Sequence, residues 1–111
     1  MSTEITVRKA RRNFTMADNG FINNPNLSMK AKGILLYLLS KPDGWKVIIT
    51  DILAHTTDGE KAIRSGLREL QQQGYYKKIP VREDGKIRKW ESYVFELPED
   101  ATEFEKKSKN V

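Results

Sequence analysis

The sequence predicts a single α+β domain made of three helices and a C-terminal β-hairpin. Segments 29–40 and 59–73 repeat apolar residues at the 3.6-residue period of a helix. Two later segments, rich in β-branched and aromatic residues, flank Asp84-Gly85, a dipeptide typical of tight hairpin turns. A chain of 111 residues is long enough for one such core and too short for two.

The two ends of the chain are polar and predict an arm and a tail outside the folded domain. Residues 1–14 carry a local charge of +3 and few large apolar side chains, as is typical of a mobile basic arm or an edge strand. The segment after Leu97 is polar around one phenylalanine, and we expect it to fray. The predicted boundaries are 1–13 for a basic arm, 14–97 for the domain and 98–111 for a polar tail.

The first predicted helix follows a turn signal. Asp18-Asn19-Gly20 predicts a turn, and the residues leave open whether a small hairpin or a helical turn surrounds it. Ser28 is placed to cap the helix, because its hydroxyl can accept a hydrogen bond from a free backbone amide of the first turn. The helix should end near Ser40, since Pro42 disfavours helical geometry in the residue before it.

A short strand and a short second helix are expected between the two longer helices. The run Trp45–Ile49 has strand character, and Trp45 is predicted to anchor the core. Thr50 can cap a helix over residues 51–55, which a brief turn separates from the third helix.

The third helix carries a basic and amide stripe opposite its apolar stripe. Asp58 should cap this helix, and Gly74 can adopt the left-handed conformation that ends many helices. On a helical wheel the apolar residues fall between about 100° and 240° from Lys61. The outward residues are Lys61, Arg64, Ser65, Arg68 and Gln72. An ordinary solvated helix would look similar, so the stripe alone does not decide its role.

The predicted hairpin is basic. Pro80 confines its first strand to an edge or a bulge, because proline has no backbone N–H to donate. The local charge from residue 77 to residue 92 is +3, and the cations are Lys77, Lys78, Arg82, Lys86, Arg88 and Lys89. Lysines on an exposed strand also prevent aggregation of sheet edges, which is the structural alternative to a binding role.

The chain lacks the residue sets that most enzymes and metal sites require. It has no cysteine, which excludes disulfides and thiolate ligands. His55 is the only histidine and fits a surface or helix-end position better than a catalytic one. We therefore predict a non-enzymatic protein with no cofactor and no metal site.

The overall charge favours a polyanionic partner. The net charge is +5 and the isoelectric point is near 9.5. The longest apolar run, 34–39, is far shorter than the ~20 residues of a membrane span, and the N-terminus has no apolar signal-peptide region. We expect a cytoplasmic protein without a membrane partner.

The order of the elements is that of a winged helix-turn-helix domain, in which the last helix lies in the major groove of DNA. Arginine can bond two guanine acceptors at once in that groove, and glutamine or serine can read other base edges. The helix residues predicted to contact DNA are Lys61, Arg64, Ser65, Arg68 and Gln72, with Thr57 as a phosphate contact near the helix start. The six hairpin cations and the arm residues Arg8, Lys9, Arg11 and Arg12 are predicted to grip the backbone or the minor groove.

The sequence also resembles a known family. The stretches LSMKAKGILLYLLSKPDGWKV, DGEKAIRSGLRELQQQGYYKK and EDGKIRKW resemble the winged-helix DNA-binding domain at the front of replication initiators, or replisome organisers, of Gram-positive phages and plasmids. The likeness covers about residues 14–97 and implies a winged helix that binds double-stranded DNA near an origin. The chain is also similar to stand-alone winged-helix accessory proteins of Gram-positive conjugative plasmids, which bind at or near the transfer origin.

The expected function is origin recognition on a mobile genetic element, in replication or in conjugative transfer. Transcriptional regulation and a protein-interaction module are the alternatives. Beyond double-stranded DNA, the partners would be a relaxase or replication proteins, and the pairing of two copies on DNA is left open. A steep loss of binding with salt would favour DNA, because counterion release drives phosphate binding.

Overall fold

The structure is a computed structural model that describes residues 3–9 and 12–109, without the side chains of residues 108 and 109. These residues form five helices and a two-stranded antiparallel sheet, which confirms the predicted α+β class. In chain order the elements are α1 (Asn19–Ile22), α2 (Met29–Leu39), α3 (Ile49–Leu53), α4 (Glu60–Gln72), β1 (Tyr76–Glu83), β2 (Lys86–Val94) and α5 (Pro98–Lys109). The predicted count of three helices is wrong, because α1 and α5 are additional. No helix in this part of the chain combines the length and the apolar character needed to cross a membrane.

A helical turn, not a hairpin, occupies the region left open around residue 20. Asp18 caps α1, with its Oδ1 accepting a hydrogen bond from the Gly20 amide at 2.7 Å. The turn buries Phe21, whose ring meets Tyr75 edge to face at a centroid distance of 6.4 Å. The short helix therefore closes one side of the core.

The predicted cap of α2 is confirmed, and it is tied to α4. The Ser28 hydroxyl accepts a hydrogen bond from the Ala31 amide at 3.1 Å and donates one to the Glu69 carboxylate at 2.8 Å. The Ser28 backbone amide donates to the same carboxylate at 2.9 Å. Glu69 thus fixes the start of α2 against the C-terminal half of α4.

The segment between α2 and α3 differs from the prediction. Residues 45–48 are not part of the sheet formed by the described chain. Trp45 is 64% exposed and does not anchor the core. Its amide closes a turn on the Pro42 carbonyl at 3.0 Å, which holds it at the surface, and Val47 packs against the core instead.

The predicted caps of α3 and α4 are also wrong. Ile48, not Thr50, is the N-terminal cap of α3, and its amide donates to the Asp51 carboxylate at 3.2 Å. Gly59 precedes α4 without a side-chain cap. Asp58 lies one residue too early, in a turn where its amide donates to the Thr56 hydroxyl at 3.1 Å.

The apolar stripe of α4 packs directly on α2. Ile63 and Leu70 are buried in the core. Gly66 lies so close to α2 that a Cβ at this position would be 2.3 Å from Cδ1 of Ile34. This contact sets the rotation of α4 about its own axis, and with it the direction of the opposite face.

Residues with positive φ angles end α4 and form the turn of the hairpin. Gly74 has a φ of +90° and ends α4 as predicted. Asp84 and Gly85 have φ values of 53° and 78°, which form the predicted tight turn between β1 and β2. The pairing is irregular between Val81 and Arg82, immediately after Pro80.

The strand register divides the hairpin into two faces, because cross-strand partners and alternate residues project from the same side of a sheet. The core-side face carries Tyr76, Lys78, Pro80, Arg82, Ile87, Trp90, Ser92 and Val94. The α5-side face carries Lys77, Ile79, Val81, Glu83, Lys86, Lys89, Glu91 and Tyr93. At the root of the core-side face, Tyr76 and Val94 pack against the hydrophobic core.

The segment expected to fray forms α5, which packs on the α5-side face. The Phe104 ring lies 4.8 Å from the Tyr93 ring and 5.5 Å from the Phe95 ring, centroid to centroid. Ala101 is fully buried, and Lys77 Nζ lies 3.7 Å from Glu105 Oε2. The prediction failed because the aromatic partners of Phe104 belong to the hairpin rather than to its own segment.

Candidate nucleic-acid interface

The polar stripe of α4 faces solvent, as its periodicity predicts. Lys61, Arg68 and Gln72 are exposed. The opposite side of the helix is buried against α2 and α3. The stripe therefore lies on a helix that the core holds in a fixed orientation.

Two residues of the stripe already have partners. Arg64 Nε donates to Glu60 Oε2 at 3.0 Å, and both side chains are more than half exposed. A solvent-exposed pair at this spacing contributes about 0.3–0.5 kcal/mol, so Arg64 can exchange its partner for another anion at little cost. Ser65 is half-buried and accepts a hydrogen bond from Lys30 Nζ at 3.2 Å.

The other cations of the stripe have no acidic partner in the described part of the chain. Lys61 and Arg68 form no ion pair with any residue that the structure describes. Gln72 lies on the same face, towards the C-terminal end of α4. These side chains are free to meet an external polyanion.

A small cluster of side chains that was not predicted from the sequence borders the stripe. Lys30 Nζ lies 3.9 Å from Glu69 Oε2 as well as beside Ser65. The pKa of Glu69 is lowered by the hydrogen bond from the Ser28 amide, then by the Ser28 hydroxyl and the charge of Lys30. Glu69 therefore stays ionised at neutral pH and places a negative charge at the edge of the stripe. A helical wheel of α4 cannot reveal this, because two of the partners come from α2 and its cap.

Thr57 lies in the turn between α3 and α4, where it is exposed. The neighbouring Thr56 hydroxyl is occupied by the Asp58 amide. Thr57 thus stands near the N-terminal end of α4, where a phosphate contact was predicted.

On the α5-side face of the hairpin, cations and carboxylates lie together. Arg88, which the irregular pairing leaves without a cross-strand partner, forms an ion pair with Glu83 of this face, and Lys89 Nζ lies 3.8 Å from Glu91 Oε1. The Tyr93 hydroxyl donates to Glu91 at 2.6 Å, and this bond lowers the pKa of Glu91 and raises that of Tyr93. Both carboxylates therefore place negative charge beside the cations of this face. Lys77 is likewise paired, with Glu105 of α5.

The core-side face has a different character. Lys78 and Arg82 are exposed, and the face carries no acidic residue. The same face exposes two large apolar side chains: Trp90, opposite Pro80, is 58% exposed, and Ile87, opposite Arg82, is 44% exposed. Neither residue was predicted as part of the site, because their side of the hairpin follows from the strand register and not from the local sequence pattern.

The basic arm is described in part. Arg8, Lys9 and Arg12 are exposed, and residues 3–9 form neither helix nor strand. Arg11 lies outside the described residues. Beyond the arm, the chain is attached to the segment after β2, because the Asp18 amide donates a hydrogen bond to Glu96 Oε2 at 2.5 Å.

His55 lies exposed just after α3, at the helix-end position predicted for it. Its Nδ1 is 2.8 Å from the Asp51 carbonyl oxygen and 3.2 Å from the Tyr37 hydroxyl. These contacts account for the residue as part of the packing between α2 and α3.

Comparisons of the chain with protein-family models, with curated proteins and with solved structures found no match.

Proposed function

We propose that the protein is a sequence-specific double-stranded-DNA-binding protein of winged helix-turn-helix type. In this proposal α3, the turn after it and α4 are the helix-turn-helix, and the hairpin is the wing. The observation that carries the proposal is the exposed stripe of α4, which opposes a face packed against α2 and α3. A rigid helix with cations and amides on its free side is the form in which side chains reach the bases of the major groove.

The residues of α4 have distinct roles in the proposal. Arg68, which has no ion pair in the described structure, reads a guanine with its two-pronged guanidinium. Arg64 does the same after releasing Glu60, and Gln72 reads an adenine edge. Lys61 and Thr57, near the start of the helix, bind phosphates. Ser65 contacts DNA only if Lys30 gives up its hydrogen bond.

The hairpin and the arm supply contacts to the backbone. The arm cations Arg8, Lys9, Arg11 and Arg12 bind phosphates or enter the minor groove next to the site. Lys86 lies beside the hairpin turn, where it is exposed and has no ion pair among the described residues. These contacts add affinity without reading sequence.

We further propose that the DNA site belongs to a mobile genetic element. The sequence resemblance to replication initiators and to conjugative accessory proteins supports an origin of replication or of transfer, bound in the cytoplasm. A relaxase or replication proteins would then be the partners on the same DNA. Direct repeats in the bound site would indicate copies arranged head to tail, and a palindrome would indicate a two-fold pair.

The test begins with DNA fragments of the native replicon that the purified protein retains. Binding of a retained duplex and of a random duplex is then titrated by fluorescence anisotropy at several salt concentrations. Arg68→Ala should weaken the binding free energy for the cognate duplex by about 1–3 kcal/mol and that for the random duplex by much less. Lys106→Ala, the loss of an exposed cation on α5, is the matched control and should leave both affinities unchanged.

Two outcomes would contradict the proposal. The first is that the protein binds no duplex at low ionic strength, where phosphate contacts are strongest. The second is that Arg68→Ala weakens cognate and random duplexes equally, which would remove base reading from α4.

A further inference from the structure

The core-side face of the hairpin leaves a tryptophan uncovered. Trp90 and Ile87 are 58% and 44% exposed, although they lie on the face whose root packs into the core. Large aromatic side chains are normally buried to a high degree, and exposed ones often mark an interaction site. Edge protection explains exposed lysines on a strand but does not explain an exposed indole.

The charges around Trp90 are all of one sign. On the same face, Lys78 and Arg82 are exposed, and neither forms an ion pair within the described residues. The opposite face carries the carboxylates of Glu83 and Glu91, which pair with Arg88 and Lys89. A polyanion is therefore attracted to the core-side face without meeting a carboxylate on it.

The spacing of the two cations fits a groove edge. Lys78 and Arg82 are four residues apart on β1, which is about 13 Å along a strand at about 3.3 Å per residue. This exceeds the ~6 Å width of the minor groove of B-DNA, so the two cations can reach phosphates on both walls. Trp90, paired with Pro80 between them, lies where the deoxyribose surface would be.

A second copy of the chain is a poorer occupant of this face. Two-fold pairing places the same patch on both subunits. Lys78 and Arg82 of one copy would then approach the same two cations of the other. Like charges at a contact oppose association, whereas the phosphates of DNA neutralise them.

We infer that the core-side face of the hairpin binds the sugar-phosphate backbone of duplex DNA at the minor groove, with Lys78 and Arg82 on phosphates and Trp90 packed against deoxyribose. This rests on the proposed function, because it concerns the same ligand. It shifts the main contacts of the hairpin to Lys78, Arg82 and Trp90, away from the cations that carboxylates accompany.

The experiment uses the full chain in a Trp45→Phe background, in which Trp90 is the only tryptophan. Saturation with duplex DNA should change the emission of Trp90 and protect it from a soluble quencher. Trp90→Ala, made separately, should weaken cognate and random duplexes alike by roughly tenfold, as for a lost aromatic contact. Trp90→Phe should restore much of this loss.

The salt dependence of DNA affinity shows which face of the hairpin contacts the phosphates. Lys78→Ala and Arg82→Ala should each reduce the slope of log affinity against log salt by about 1. Lys89→Ala, which removes a cation from the α5-side face, should reduce the slope less, because Glu91 already lies beside it. Circular dichroism establishes that each variant is folded.

The inference is overturned if Lys89→Ala and Lys78→Ala have equal effects, or if saturating duplex leaves Trp90 emission unchanged. It is also overturned if Trp90 emission changes with protein concentration in the absence of DNA, which would assign the face to a second copy. In these cases a selective loss of cognate binding by Arg68→Ala would leave the proposed function standing. Failure of the unsubstituted chain to bind any duplex would reject both.

Discussion

Removal of the Glu69 carboxylate should destabilise the protein by about 1–2 kcal/mol. This carboxylate accepts hydrogen bonds from the Ser28 amide at 2.9 Å and from the Ser28 hydroxyl at 2.8 Å. It also lies 3.9 Å from Lys30 Nζ. A hydrogen bond to a charged group makes a net contribution of about 1.5–3 kcal/mol to stability. Glu69 retains 28% side-chain exposure, so water replaces part of what the Glu69→Ala substitution removes.

The loss should depend on pH with a definite sign. The hydrogen bonds from Ser28 lower the pKa of Glu69 in the folded protein, so the ionised form stabilises the fold above the ordinary glutamate pKa of about 4.3. As the pH falls through the lowered folded pKa, this contribution disappears. The difference in stability between the unsubstituted chain and Glu69→Ala should therefore be largest near neutrality and should shrink below about pH 4.

Urea denaturation followed by circular dichroism measures both effects across a pH series. Glu103→Gln is the matched control, since Glu103 is exposed in the middle of α5, and it should change the unfolding free energy by less than about 0.5 kcal/mol. If Glu69→Ala matched this control at pH 7, the link between α2 and α4 would be energetically unimportant. A stability difference that grew towards acid pH would contradict the assigned direction of the pKa shift.

Two further predictions concern stability. Gly74→Ala should lower the free energy of unfolding by about 1–2 kcal/mol, because Gly74 has a φ of +90°. Gly33→Ala in α2 should raise it by about 0.5–1 kcal/mol, since no atom lies within 4 Å of the added Cβ. Thermal unfolding compares the two variants, and equal effects would contradict the role of Gly74. Trp45→Ala should lower the free energy of unfolding by less than about 0.5 kcal/mol, since Trp45 is 64% exposed. A loss of about 3–5 kcal/mol in the same assay would instead identify Trp45 as a core residue.

The features predicted correctly from the sequence depend on neighbours along the chain. Ser28 caps α2 through an amide three residues later, and Gly74 ends α4 through its own backbone angle. The turn at Asp84-Gly85 is likewise local. The exposed stripe of α4 follows from helical periodicity, and its direction needs only that the apolar side be buried.

The features missed from the sequence depend on partners distant in the chain. The aromatic partners of Phe104 stand on or just after β2, so a polar segment becomes the packed helix α5. Trp45 has the composition of a core residue, but the turn on Pro42 keeps it at the surface. The two faces of the hairpin follow from the register, which brings Trp90 opposite Pro80.

The number of charged residues in the sequence also does not show which cations form ion pairs with carboxylates. The pairing of Arg64 with Glu60 follows the helical i, i+4 rule and is visible in the sequence. The pairs Lys30 with Glu69 and Lys77 with Glu105 join different elements. Residue counting treats every one of these cations as equally available to a ligand, whereas the described structure leaves Lys61, Arg68, Lys78, Arg82 and Lys86 of α4 and the hairpin without an ion pair.

The same Glu69→Ala substitution should strengthen DNA binding while it weakens the fold. It removes a negative charge from the edge of the α4 stripe and releases Lys30, whose ammonium lies 3.9 Å from that carboxylate. One more available cation should steepen the salt slope by about 0.9 and raise affinity for cognate and random duplexes alike. Anisotropy titrations well below the melting temperature would measure this. A loss of cognate affinity alone under those conditions would mean that Glu69 contributes by positioning α4, and that its charge is secondary.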